Sequence, residues 1–447
     1  MTKYIKYIAI PLAAVAALAS CSETDAVKDK GNAPVVRYVR DCDPEKSDSL
    51  IVAASLGSKL AFIGENLGDV QQIWFNDQKA LLNPTMVTSN AIIVDVPNVI
   101  PGEVSNIARL VTSTGLTTEY PFTITVPAPR VERMACEYAP AGSQTEIKGA
   151  YFANDPSSPL KVVFDGSGEE AEIVSYTQES ITIVVPDGAT EGTVSVSTIY
   201  GTTKSGFHYA DTRGMLFDFE RDGATGLGID GRNWHCAPFA DDELALTGTY
   251  LKMGDAETLI NDDAWPENTH LFTYWAGEWS DPITYPARLG ERLCDIVDFS
   301  DFRNMSLKFE MLIPSANAWQ ACAMQLIFSG VDKTSYSGGG VDIFGNTVAA
   351  SNNSYYQDDS GKASASWGRA LYRPWSGSTA FHTGDKWITV TVPLTDFVYN
   401  SVGGQASAVP SSPEDFANFE IFVWSGGVTG VDCYPIICID NIRAVKN

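Results

Sequence analysis

Four short stretches set aromatic side chains among glycine, proline, serine and acids instead of in apolar runs. Tyr274-Trp275-Ala276-Gly277-Glu278-Trp279 is the densest, and Trp265 lies in the same loop-rich region. Ser315-Ala316-Asn317-Ala318-Trp319-Gln320 joins two apolar runs, and Tyr372-Arg373-Pro374-Trp375-Ser376-Gly377 sits in a polar, Gly/Ser-rich stretch. Gly231-Arg232-Asn233-Trp234-His235 is the fourth. Large aromatic side chains held out of a core are unusual unless they bind something. A flat aromatic face covers the patch of axial C–H groups on a sugar ring, while nearby polar side chains read its hydroxyls. The candidates for such work are Trp275, Trp319, Trp279, Tyr274, Trp375, Tyr372 and Trp234. By contrast Phe217, Phe219, Phe309, Phe328, Trp387 and Phe422 fall in alternating apolar runs and are expected in a core.

Other chemistries find less support. The four histidines (His208, His235, His270 and His382) include no HExxH, which argues against a multi-histidine metal centre. Gly338-Gly339-Gly340 is followed by no Lys-Ser/Thr and no helical pattern, so it is a loop and not a phosphate cradle. A glycoside hydrolase needs two carboxylates about 5–10 Å apart across the scissile bond. The 55 acids offer many pairs, but no local motif joins a nucleophile to a base. The chain is therefore expected to be non-catalytic and to need no cofactor. The competing readings are a surface adhesion or assembly protein that binds another protein, and, behind it, a glycoside hydrolase.

The elements that must position these residues follow from the rest of the chain. At about 150 residues per domain, 447 residues suggest three domains. The 30 Lys+Arg against 55 Asp+Glu leave a net charge of −25, which excludes a nucleic-acid-binding face and a polybasic membrane surface. Charged residues are only 19%, and 37 Gly with 23 Pro indicate turns and short strands.

Two segments repeat. Gly57 to Leu67 aligns with Gly142 to Phe152, Ile73-Trp74-Phe75-Asn76 with Val162-Val163-Phe164-Asp165, and Ile92 to Pro97 with Ile181 to Pro186. From Phe75 to Pro97 and from Phe164 to Pro186 the spacing is 22 positions in both, so the register is kept. Ile92, Val94, Val96 and Ile181, Ile183, Val185 alternate as half-buried strands do. Gly64 and Gly149 are expected at turns that need positive φ, and Trp74 is expected in a core. The first unit carries an insertion, Asp41 to Ser49. Units of this size built from short strands predict immunoglobulin-like sandwiches over 34–127 and 128–211.

Beyond Thr212 the chain holds nine of the ten Trp, and 32 aromatics against 16 before it. Alternating runs such as Leu307 to Ile313, Met324 to Phe328, Trp387 to Pro393 and Phe419 to Val423 predict a larger all-β jelly-roll sandwich over 212–447. That sandwich is expected to bind its ligand alone, with 34–211 as spacers.

At the other end, Lys3 and Lys6 precede an apolar stretch, Ile8 to Leu18, too short to span a bilayer. Leu18-Ala19-Ser20-Cys21 closes it. This resembles the lipobox of bacterial lipoproteins, which implies a signal over 1–20, cleavage before Cys21 and acylation there. Residues 21–33 are polar and read as a tether. Glu23 and Asp25 behind Cys21 resemble a surface-export signal, which implies a lipid-anchored place in the outer membrane, facing outward. Seven further cysteines, an odd number with no CxxC, are expected as free thiols, with a Cys433–Cys438 bridge as the alternative.

The repeats resemble IPT/TIG domains. Phe217-Asp218-Phe219-Glu220 and Ile439-Asp440-Asn441-Ile442-Arg443 resemble the first and last strands of carbohydrate-binding jelly rolls. The whole plan resembles the type-B surface glycan-binding proteins of the Bacteroidetes. That resemblance implies capture of a neutral polysaccharide, such as xyloglucan or another β-glucan, for a polysaccharide-utilisation system. It also implies, as partners, a neighbouring glycan transporter and other surface glycan-binding lipoproteins. In related jelly rolls oxygens on the paired first and last strands hold a structural calcium, which makes Asp218, Glu220 and Asp440 a metal alternative.

Overall fold

The computed structural model describes residues 24–43, 45, 50–220, 236–274, 292–330 and 367–447. The chain divides into two compact units, at Ala128/Pro129. The first holds one sandwich. One sheet runs Leu50–Ile51, Val35–Asp41, Lys59–Glu65, Ala91–Asp95, and the other Gln78–Lys79, Val70–Phe75, Ile107–Thr112, Thr117–Pro121. Its centre is the aromatic trio Phe62, Phe75 and Phe122, with ring centroids 5.9–6.3 Å apart. Trp74 departs from expectation. Ile73 and Phe75 take the inner face, so Trp74 lies half-buried on the outer one, under Lys79 and Arg109. The expected tether also departs: Asp25–Asp29 is a short helix, because two of its carboxylates accept backbone N–H groups of the sandwich. Asp29 takes Gly68 at 2.8 Å and Asp25 takes Ser89 at 3.0 Å.

The second unit opens with the other repeat. Arg130–Met134, Gln144–Ala150, Ser180–Val184 and Glu172–Tyr176 face Glu169–Glu170, Lys161–Phe164, Gly192–Thr198 and Gly201–Tyr209. Gly64 and Gly149 turn out not to need positive φ. Each sits where a strand crosses a bulge in its neighbour, and a Cβ would meet the Val35 or Arg130 carbonyl oxygen at 1.8 Å. Close backbone approach, not turning, requires the glycine.

The terminal segment forms a two-sheet all-β sandwich. Its back sheet runs Phe239–Ala240, Tyr250–Met253, Ile437–Lys446, Met305–Leu312, Ile388–Pro393, with Met215–Phe217 also paired to Ile437–Lys446. Its front sheet runs Leu271–Tyr274, Asn418–Val423, Met324–Ser329, Ala370–Tyr372. Leu307, Phe309 and Met311 of the back sheet meet Phe419, Ile421, Met324, Leu326 and Phe328 of the front in one apolar core.

The back sheet's outer face is not solvated; the second repeat covers it. Glu137, from the loop after Arg130–Met134, is buried between Lys308 at 2.6 Å and Arg443 at 2.8 Å. Arg443 also donates to Glu310 at 2.7 Å and stacks 5.0 Å over Tyr138. Thr389 takes the Glu137 N–H at 2.7 Å and donates to Glu310 at 2.9 Å. The two sandwiches therefore share a buried network of two cations and two carboxylates.

Candidate functional site

The front sheet's outer face is also buried, and its residues are of another kind. In the strand Asn418–Val423, Phe419, Ile421 and Val423 turn into the core, so Asn418, Glu420 and Phe422 must face outward, yet all are buried. Thr273 and Ile327 flank Glu420, while Leu271 and Gln325 flank Phe422. Arg369, fully buried, donates from Nη1 to Gln325 Oε1 at 2.8 Å, and Gln325 Nε2 donates to the Trp424 carbonyl at 2.6 Å. Burial pushes the Glu420 carboxyl well above the usual carboxylate range, favouring its protonated form. Thr273 Oγ1 is buried without a hydrogen-bond partner.

Aromatic rings rise from one end of this face. Phe422 and Trp424 stack at 5.9 Å and 20°, and Trp265 stands edge-on to both, 5.1 Å from each. Trp265 is 40% exposed, and its indole N–H donates to Glu267 Oε2 at 2.8 Å, which fixes the ring's orientation. At the other end, Tyr274 and Phe328 both pair with Phe419, from opposite sides of the strand Asn418–Val423.

The expected platform residues divide. Trp275, Trp279 and Trp234 lie outside the described residues, as does Cys21. Trp319, Trp375 and Tyr274 are core side chains, a correction to the sequence reading. Trp319 is 0% exposed and donates its indole N–H to the Ala321 carbonyl at 2.6 Å; Trp375 donates to that of Cys322 at 2.8 Å. Tyr274 packs edge-on against Phe217 at 5.3 Å. The loops carrying the two Trp cap the sandwich end, and each indole satisfies a carbonyl in the bend, so the whole ring is buried. Tyr372 is half-buried against Phe309 and Trp319.

The sequence reading missed Trp424, because Ile421-Phe422-Val423-Trp424 is an unbroken apolar run that hides two faces. The acid Glu420, two residues before Phe422, was the signal that one of those faces is special.

The calcium candidates Asp218, Glu220 and Asp440 form no three-ligand cluster among the described residues. Among the described residues, only Glu191, His208 and Asp211 bring three candidate ligand atoms within 4.8 Å, and Asp211 is already clamped by Arg213 at 2.7 and 2.8 Å. Asp440 is buried near Glu310, Glu220 and Asp218, and burial first, with those acids behind it, pushes its carboxyl up to about 9. Cys433 and Cys438 are free thiols and do not form the bridge considered above. Cys438 packs with Tyr250 and Leu312, while the Cys433 sulfur accepts from the Gln320 N–H at 3.3 Å.

Comparison with known proteins agrees with this architecture. Residues 209–446 match the family model for the surface glycan-binding protein B xyloglucan binding domain. The crystal structure of surface glycan-binding protein B from Prevotella bryantii is 38% identical, with a TM-score of 0.72 over 92% of this chain and 98% of that one. An IPT/TIG domain-containing protein of Bacteroides ovatus is 32% identical over 126 residues, 27% of this chain. That match spans only 26% of the relative's own length. The chain belongs to the surface glycan-binding protein B family.

Proposed function

We propose that the outer face of the front sheet captures a neutral, extended β-linked polysaccharide, xyloglucan or a mixed-linkage glucan, without cleaving it. The observation that carries this reading is the Trp265–Trp424 pair at the edge of a buried polar row. Rings set at an angle give an extended chain two stacking faces, and Glu420, Gln325 and Thr273 supply the polar groups beside them. Trp275, Trp279 and Trp234 extend the platform in this proposal. The net charge of −25 repels polyuronates, and Arg369 is already engaged by Gln325, so the ligand is neutral. Isothermal titration against xyloglucan, mixed-linkage glucan and polygalacturonate, with product analysis after overnight incubation, tests this. Binding to the neutral chains that persists at raised salt, with no product, is expected. Cleavage products, or preference for polygalacturonate, contradict it.

We further propose that Cys21 is acylated and holds the protein on the outer face of the outer membrane. There it would pass its ligand to a neighbouring transporter alongside other surface glycan-binding lipoproteins. Cys21→Ala is expected to remove the protein from the surface of intact cells. Unchanged protease-accessible display of that variant contradicts the anchor.

A further inference from the structure

We infer a second, smaller saccharide site in the cleft between the second repeat and the terminal sandwich. The cleft has a volume of about 510 Å³, within the range of about 300–1,000 Å³ typical of small-molecule sites. One wall carries Thr383, Lys386 and Trp387 of the terminal sandwich, and the other Gln144, Glu146 and Thr182 of the repeat.

Three features give the cleft its chemistry. Trp387 is half-buried and held rigidly: its indole N–H donates to the Leu244 carbonyl at 2.9 Å, and its ring meets Tyr250 edge-on at 5.8 Å. A fixed aromatic surface of this kind offers stacking at little entropic cost. Opposite it lie Glu146 and Thr182, cross-strand neighbours on the outward face of the repeat's sheet, both partly exposed, so that the Thr182 side chain brings a hydroxyl to the cleft. The carboxylate of Glu146 is paired with Lys148 at 2.8 Å, Lys386 is exposed, and Gln144 adds a planar amide. An aromatic wall, a hydroxyl and planar polar side chains, with the one carboxylate already paired, fit a neutral saccharide of one to three rings.

The location of the site follows from the cleft itself, while the class of its ligand rests on the glycan-binding reading above. The buried Glu137–Arg443 network holds the two walls together, so the site exists only while both sandwiches are present. It would engage a chain end or a side-chain sugar away from the front face.

Indole N–H resonances of the full chain, followed by NMR during titration with a xyloglucan oligosaccharide, test the inference, with the Trp387 signal assigned from Trp387→Phe. The Trp265 and Trp424 signals are expected to respond first and the Trp387 signal at higher concentration. Gln144→Phe, which fills the cleft from an exposed strand position, is expected to weaken the Trp387 response at least tenfold and leave the front-face response intact. Thr182→Val, equal in size but lacking the hydroxyl, is expected to weaken it severalfold. A silent Trp387 beside a responding front face overturns the second site alone, as does an undiminished Trp387 response in Gln144→Phe. If no indole responds, the glycan-binding reading falls with it.

Discussion

The two sheets of the terminal sandwich both bury polar residues on their outer faces, but they use them differently. On the back sheet, Lys308 and Arg443 meet Glu137 and Glu310 at 2.6–2.8 Å, and the charges balance two against two. On the front sheet the guanidinium of Arg369 donates to a neutral amide, Glu420 is pushed toward its protonated form, and the Thr273 hydroxyl has no partner. A face that joins two domains permanently gains most from matched charges, because an unmatched buried charge is costly. If the front face takes up and releases a ligand as proposed, the Thr273 hydroxyl is the hydrogen-bonding capacity it holds in reserve. The same contrast separates the two repeats. In the alignment that places Gly57 on Gly142, Glu137 corresponds to Val52, which is 70% exposed, so the first repeat has no equivalent of the joining carboxylate.

The largest effect is expected at the joint. Glu137→Ala leaves Arg443 buried with half its counter-charge and should cost about 3–5 kcal/mol in chemical denaturation. It should also split one unfolding transition of residues 129–447 into two. A loss below about 1 kcal/mol would show that apolar contact alone holds the sandwiches together. By the same reasoning, removing 34–128 should leave glycan binding intact, whereas removing 34–211 strips the back sheet of its cover. That revises the expectation that the whole spacer is dispensable.

A smaller effect sharpens the contrast on the back-sheet strand itself. Asp440 is buried beside the acids Glu310, Glu220 and Asp218, and its carboxyl rises from 3.8 to about 9 in the folded protein. A raised folded value means that its contribution to stability is complete below about pH 4 and is lost as the pH climbs toward 9. Asp440→Asn removes that loss. Denaturation should show the variant gaining about 1–2 kcal/mol on wild type between about pH 5 and pH 6. A constant difference across that range would mean that Asp440 ionises without penalty.

The strand pattern was legible because alternation is local: Leu307, Phe309 and Met311 declare one face within five residues. The repeats were legible for the same reason. The joint was not, since Glu137 and Arg443 stand 306 positions apart and nothing near either residue marks it as paired. The candidate site was half legible. Trp265 sat visibly in a loop-rich stretch, but loop position alone cannot separate a ring that caps a core, such as Trp319, from one that faces outward. What separates them is whether a bend offers the indole N–H a buried carbonyl, which only the folded backbone determines. Gly64 and Gly149 teach the same point, since their role depends on a neighbouring strand and not on their own turn.

The front face is the proposed place of glycan binding, and Trp265 is its most exposed ring. Isothermal titration of Trp265→Ala with xyloglucan measures this on a ring that is 40% exposed and outside the apolar core. The predicted result is affinity weakened at least tenfold, about 1.4 kcal/mol, with an unchanged melting temperature. Wild-type affinity in that variant would contradict the front-face site.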